Sequence, residues 1–109
     1  MKEDHVLLSI AVLGGTGKEG KGLAYRWARA GYHVLIGSRT EEKAVAAAKE
    51  VSDMLGEGVS VMGMDNSQAA KDANIIVLTV PYSAHRTTLE SVKDDLKGKI
   101  LVDVTVPLV

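Results

Sequence analysis

Three glycines at the spacing G-x-G-x-x-G, Gly15, Gly17 and Gly20, stand between an apolar run and an amphipathic stretch, and this combination restricts the fold more than any other feature. Residues 6–13 are apolar except for Ser9, the pattern of a strand buried on both faces of a parallel sheet. Downstream, Gly20, Leu23, Ala24, Trp27 and Ala28 recur at helical spacing and give one apolar stripe. Strand, glycine-rich turn and helix in that order read as the first βα unit of a dinucleotide-binding fold. In such a unit Gly15 makes the tight turn, Gly17 lets the backbone approach a pyrophosphate, and Gly20 lets the helix pack closely on the strand. The helix N-terminus offers the pyrophosphate unpaired N–H groups and the positive end of its dipole, and Lys18 and Lys21 add positive charge nearby.

The rest of the chain alternates between the two periodicities. Gly31 stops the first helix, and residues 32–36 form a short second strand. Thr40 is placed to cap a second helix with Glu41 and Glu42 in its first turn and an apolar stripe of Ala44, Ala47, Ala48, Val51 and Leu55, ended by Gly56. Residues 59–62 predict a weak third strand interrupted by Gly63. Asp65 with Gln68 resembles a capping box for a brief helix through about Lys71. Residues 74–80 are the clearest later strand, closed by Pro81. Ser83 is placed to cap a fourth helix in which Leu89, Val92 and Leu96 share a face and Gly98 is the stop. Residues 99–103 make a fifth strand. Alternating β and α elements with right-handed crossovers predict an α/β, doubly wound parallel sheet of about five strands in the order 3-2-1-4-5. A sixth strand usual in such folds is not present before Val109, so the expectation is one cofactor domain over residues 1–109 whose second, acceptor-binding part is absent or supplied by another chain.

The end of the second strand is where an adenosine ribose is read, and a site selective for NAD presents Asp or Glu there. Here stand Ser38, Arg39 and Thr40, a cation between two hydroxyls. Guanidinium and hydroxyl donors suit a 2′-phosphate, which a carboxylate repels, so NADP(H) is the expected cofactor.

The segments 14–24, 36–44, 77–81 and 99–108 together resemble the NADPH-dependent reductases of the 8-hydroxy-5-deazaflavin coenzyme F420. The resemblance implies NADP held at Thr16, Ser38 and Arg39, and reversible hydride transfer between nicotinamide C4 and deazaflavin C5. It also implies that the Val80-Pro81 turn lies beside the nicotinamide ribose and that residues after the fifth strand help form the deazaflavin pocket. Members of that family continue well beyond residue 109. The expected cofactor-binding set is Gly15, Thr16, Gly17, Lys18, Glu19, Gly20, Ser38, Arg39, Thr40, Val80, Pro81 and His85.

His85 is the weak candidate for a catalytic role. It stands at the mouth of the fourth βα loop, where ligands bind in open α/β sheets, yet its offset from Leu89 also suits a packed, hydrogen-bonded histidine facing the sheet. Asp103 and Thr105 border the same crevice. His5, His33 and His85 lack ligand spacing, so no metal is expected, and hydride transfer between two cofactors needs no protein nucleophile. A net charge of −1 and 25% charged residues give no bias toward nucleic acid or an anionic membrane. No apolar run reaches the length of a membrane span, and zero cysteines leave a cytoplasmic location as the default. Expected partners are therefore a small-molecule cofactor and acceptor, with a second copy or a partner chain as the source of the missing part. Two other functions fit the residues: an NADP-dependent reductase of another small substrate, such as a β-hydroxyacid or imine, and a non-enzymatic NADP(H)-binding sensor.

Overall fold

The computed structural model describes residues 8–14, 16–80 and 82–104. In chain order the elements are β1 (Ser9–Leu13), α1 (Lys18–Arg29), β2 (His33–Ser38), α2 (Glu41–Leu55), β3 (Ser60–Asp65), α3 (Asn66–Asp72), β4 (Ile75–Leu78), α4 (Tyr82–Ser91), a 3₁₀ turn (Lys93–Asp95) and β5 (Ile100–Asp103). All five strands are parallel in the order β3-β2-β1-β4-β5, as the alternation of elements predicts.

The unbroken apolar run places β1 at the centre of the sheet. Ile10 pairs with Val34 of β2 on one side and with Ile75 of β4 on the other. Its residues serve the two faces alternately. Ala11 and Leu13 pack with Leu35, Ile76, Leu78, Ala69, Ala70 and Val92, while Val12 packs with Val34, Ile36 and the helix residues Ala24, Ala28, Ala44, Ala47, Ala48 and Val51. Of their predicted stripes α1 buries Gly20, Ala24 and Ala28 with Leu23 and Trp27 half-buried, and α2 buries Ala44, Ala47, Ala48 and Val51, so small residues dominate both, while α4 ends at Ser91, short of Val92 and Leu96. Alanines let α1 and α2 approach the sheet closely.

That close approach explains a strand the sequence understates. Gly63 does not interrupt β3, which runs on through it to Asp65. A Cβ at Gly63 would overlap the backbone of Ala44 and Val45, so the missing side chain is what allows α2 to lie against β3. The longer ladder carries β2 with it, pairing Ser38 with Asp65, so β2 spans 33–38 rather than 32–36 and Tyr32 is left exposed.

The helix ends correct three further expectations. Thr40 occupies the N-cap position of α2, but its side chain caps nothing. Ser83 lies inside α4 and is not its cap. At α3, Asp65 accepts from the Gln68 N–H at 2.8 Å as a cap should, but the Gln68 side chain turns forward to Asp72 and does not complete the box. Gly31, Gly56 and Gly98 all adopt positive φ where stops are expected. At the far edge β5 begins at Ile100, one residue later than expected, and is exposed along its length. Lys99 secures its start by donating to the Lys71 carbonyl at 2.8 Å and to the Ala73 carbonyl.

Candidate functional site: a cationic groove at the sheet switch point

The helices after β1 and β4 cover opposite faces of the sheet, and a crevice opens between the carboxyl ends of these two strands. Its cavity of about 720 Å³ is of the size that takes an organic cofactor. The β1–α1 turn forms its floor, the end of β2 and start of α2 one wall, and Thr79, Val80 and α4 the other.

The turn is built for backbone proximity. Gly14, at φ 72°, is held by its N–H donating to the Gly37 carbonyl at 3.0 Å, and a Cβ there would overlap the Val80 side chain. Gly14 therefore has a stronger steric reason to be glycine than the motif spacing alone suggests, and the sequence reading passed over it. Gly15 lies outside the described residues. Gly17 is the N-cap of α1, extended at φ −79° and ψ 172°, and no atom of the described residues lies within 4 Å of where its Cβ would be. The first intrahelical bond is Lys21 N–H to the Gly17 carbonyl at 2.9 Å. The N–H groups of Lys18, Glu19 and Gly20 precede that bond, and among the described residues no side chain caps them. An uncapped helix start facing a groove is an anion site in waiting. Gly20 is buried where α1 meets the sheet.

The β2 wall carries the cations. Ser38 is 8% exposed and its Oγ accepts from the Thr40 N–H at 3.2 Å, which leaves its own proton available to the groove. Arg39 and Thr40 are exposed beside it. Lys43, one turn further along α2, lines the same groove. Lys43 is not a sequence candidate, because only the fold shows that the first turn of α2, after the N-cap Thr40, faces the groove. Among the described residues neither Arg39 nor Lys43 has an ion pair, whereas Lys21, also counted as charge near the phosphates, is committed to Glu50 at 3.2 Å. Thr16, Gly17, Lys18, Glu19, Gly20, Ser38, Arg39, Thr40 and Val80 all line the groove.

On the opposite wall, Thr79 donates its hydroxyl to the Leu13 carbonyl at 2.9 Å, fixing the β4 end against the turn. Pro81 and Thr105 lie outside the described residues. The structure brings His85 and Asp103, two separate sequence candidates, into one contact of 2.6 Å between Nε2 and Oδ2. His85 is not among the groove's described wall residues; it is turned toward the end of β5.

Comparisons with known proteins agree with this architecture. A family model described as "NADP oxidoreductase coenzyme F420-dependent" matches residues 9–107. The F420-dependent NADP reductase of Methanothermobacter marburgensis is 51% identical over 102 residues, 93% of this chain and 46% of that protein. The F420-dependent NADP reductase of Methanocaldococcus jannaschii is 42% identical over 104 residues, 93% of this chain and 46% of the other. The chain thus spans about half the length of the curated relatives it matches. Among solved structures, an Arthrobacter sp. FB24 protein assigned as an F420-dependent NADP reductase superposes with a TM-score of 0.73 at 32% identity, covering 90% of this chain and 44% of that one. A lactate dehydrogenase from Cryptosporidium parvum, at 19% identity and a TM-score of 0.75 over 96% of this chain and 38% of its own, shares the fold. The matched residues and the groove they build make this chain a member of the coenzyme F420-dependent NADP oxidoreductase family.

Proposed function

We propose that residues 1–109 form the NADP-binding domain of a reductase that exchanges hydride between NADP(H) and the deazaflavin coenzyme F420. The observation that carries the cofactor choice is the pair Arg39 and Lys43 at the end of β2, with no ion-pair partner among the described residues and a hydroxyl, Ser38, beside them. These residues fit a 2′-phosphate, and the uncapped N–H groups of Lys18, Glu19 and Gly20 fit a pyrophosphate. When bound, NADP(H) supplies the hydride donor or acceptor carbon of its nicotinamide ring. The chain's own residues hold and orient it. Arg39, Lys43 and Ser38 anchor the adenosine end, the α1 N-terminus neutralises the phosphates, and Val80 with Pro81 borders the nicotinamide half.

F420 as the second coenzyme rests on the relatives of this name, and its pocket is proposed to involve the residues after β5 together with the half of the relatives' length that this chain does not span. Among the described residues no helix is long and apolar enough to cross a membrane, in keeping with the proposed cytoplasmic location.

Calorimetric titration with NADPH and NADH tests the cofactor assignment, with NADPH the tighter ligand. Following the deazaflavin absorbance tests the activity. The 109-residue chain is expected to bind NADPH but to reduce the deazaflavin slowly, because donor and acceptor carbons must be held about 3–3.5 Å apart and this domain forms one wall of such a site. Equal affinities for NADPH and NADH would overturn the first assignment, and full turnover by the short chain would overturn the division of labour.

A further inference from the structure

One buried polar side chain in the groove is left half satisfied. Asn66, the first residue of α3, is 7% exposed and lines the cavity floor. Gly14 shares its N–H between the Gly37 carbonyl at 3.0 Å and Asn66 Oδ1 at 3.4 Å. A backbone N–H only donates, so the carbonyl oxygen of Asn66 must face Gly14 and its NH₂ must point elsewhere. That NH₂ has no hydrogen-bond partner among the described residues. Buried amide donors are nearly always paired, and one lining a ligand groove is a donor kept for the ligand. The fold also makes room for it, since a Cβ on Gly37 would come within 2.7 Å of Asn66 Oδ1.

We propose that Asn66 is a further cofactor-binding residue that donates its side-chain N–H to the adenosine ribose of the cofactor. The placement selects the ribose. Asn66 lies between Gly14, where the phosphate-binding turn begins, and Gly37-Ser38, where the 2′-substituent is read. The group that joins pyrophosphate to 2′-substituent is the ribose. Unlike Arg39, Asn66 therefore serves NADPH and NADH alike. This assignment rests on the reading of the groove as an NADP(H) site.

The test is competition of bound NADPH by 5′-AMP, 2′-deoxy-AMP and 3′-deoxy-AMP on the 109-residue protein, its Asn66→Ala variant and its Asn66→Leu variant. The Leu variant keeps nearly the same volume and has neither donor nor acceptor, while Gly14 N–H still has the Gly37 carbonyl at 3.0 Å, so it reports on the ribose contact if the Ala variant does not fold. The wild type is expected to bind AMP about threefold to tenfold more tightly than at least one deoxy analogue. Both variants are expected to lose that preference, with the NADPH to NADH affinity ratio unchanged. Comparing analogues within each protein cancels any general loss of affinity from loosened packing. NADPH binding by the wild type with the same analogue preference in all three proteins overturns the role of Asn66 and leaves the groove assignment standing. Failure of the wild type to bind NADPH overturns both.

Discussion

At the scale of single residues, the groove separates what tightens any dinucleotide from what selects one. Gly17 belongs to the first kind. Its backbone is extended and its Cβ direction is empty, so valine there fits the fold and obstructs only a ligand. Gly17→Val is expected to shift thermal stability by less than about 1 kcal/mol while reducing NADPH affinity at least about tenfold, a pairing that calorimetry and a melting curve read together. Arg39 and Lys43 belong to the second kind. A charge-assisted bond to a 2′-phosphate contributes about 1.5–3 kcal/mol, and the exposure of both side chains puts each near the lower end. Arg39→Ala is expected to cost roughly tenfold in NADPH affinity and almost nothing for NADH. The double change with Lys43→Ala removes most of the remaining preference, and rising salt narrows the wild-type ratio in the same direction. An unchanged ratio in the double variant would show that the cations are surface residues with no ligand. Gly17, Ser38 and Arg39 were legible in sequence because a strand end and a motif fix their positions. Lys43 and Asn66 were not: one requires knowing that the first turn of α2 faces the groove, the other that β3 ends beside Gly14.

At the scale of elements, periodicity gave every helix and strand, and the errors cluster where a neighbour overrides local preference. A glycine within a weakly apolar stretch reads as a break, but Gly63 continues β3 because the Ala44 backbone occupies the space of its absent side chain. Gly63→Ala is therefore expected to destabilise the chain by about 3 kcal/mol, through overpacking against a backbone that has nowhere to move. Chemical denaturation would show the loss as a lower midpoint, with NADPH affinity of the remaining folded protein close to the wild type. A midpoint within experimental error of the wild type would mean that α2 can lift from β3 without cost. The 3₁₀ turn at Lys93–Asp95 escaped the sequence reading for a related reason. Leu89, Val92 and Leu96 do share a buried face, but the chain tightens after Ser91 to bring Leu96 onto it.

At the scale of the whole molecule, the order of strands was legible because β and α elements alternate and crossovers have one hand. What the other half of the relatives' length contributes was not, since no residue here records it. Among the described residues the exposed apolar strand β5, with Asp103 at its end in contact with His85, forms one edge of the sheet. The central position of β1 has a different consequence, which concerns time. Strand β1 is made before both of its neighbours and gains the second only when Ile75–Leu78 has emerged, so a nascent chain that already carries the entire glycine motif still has one side of its central strand unpaired. A fragment ending at residue 73 should consequently be digested by protease far faster than the full chain, whether or not NADPH is present. The residues that announce the cofactor site are translated before the strand that completes its second wall.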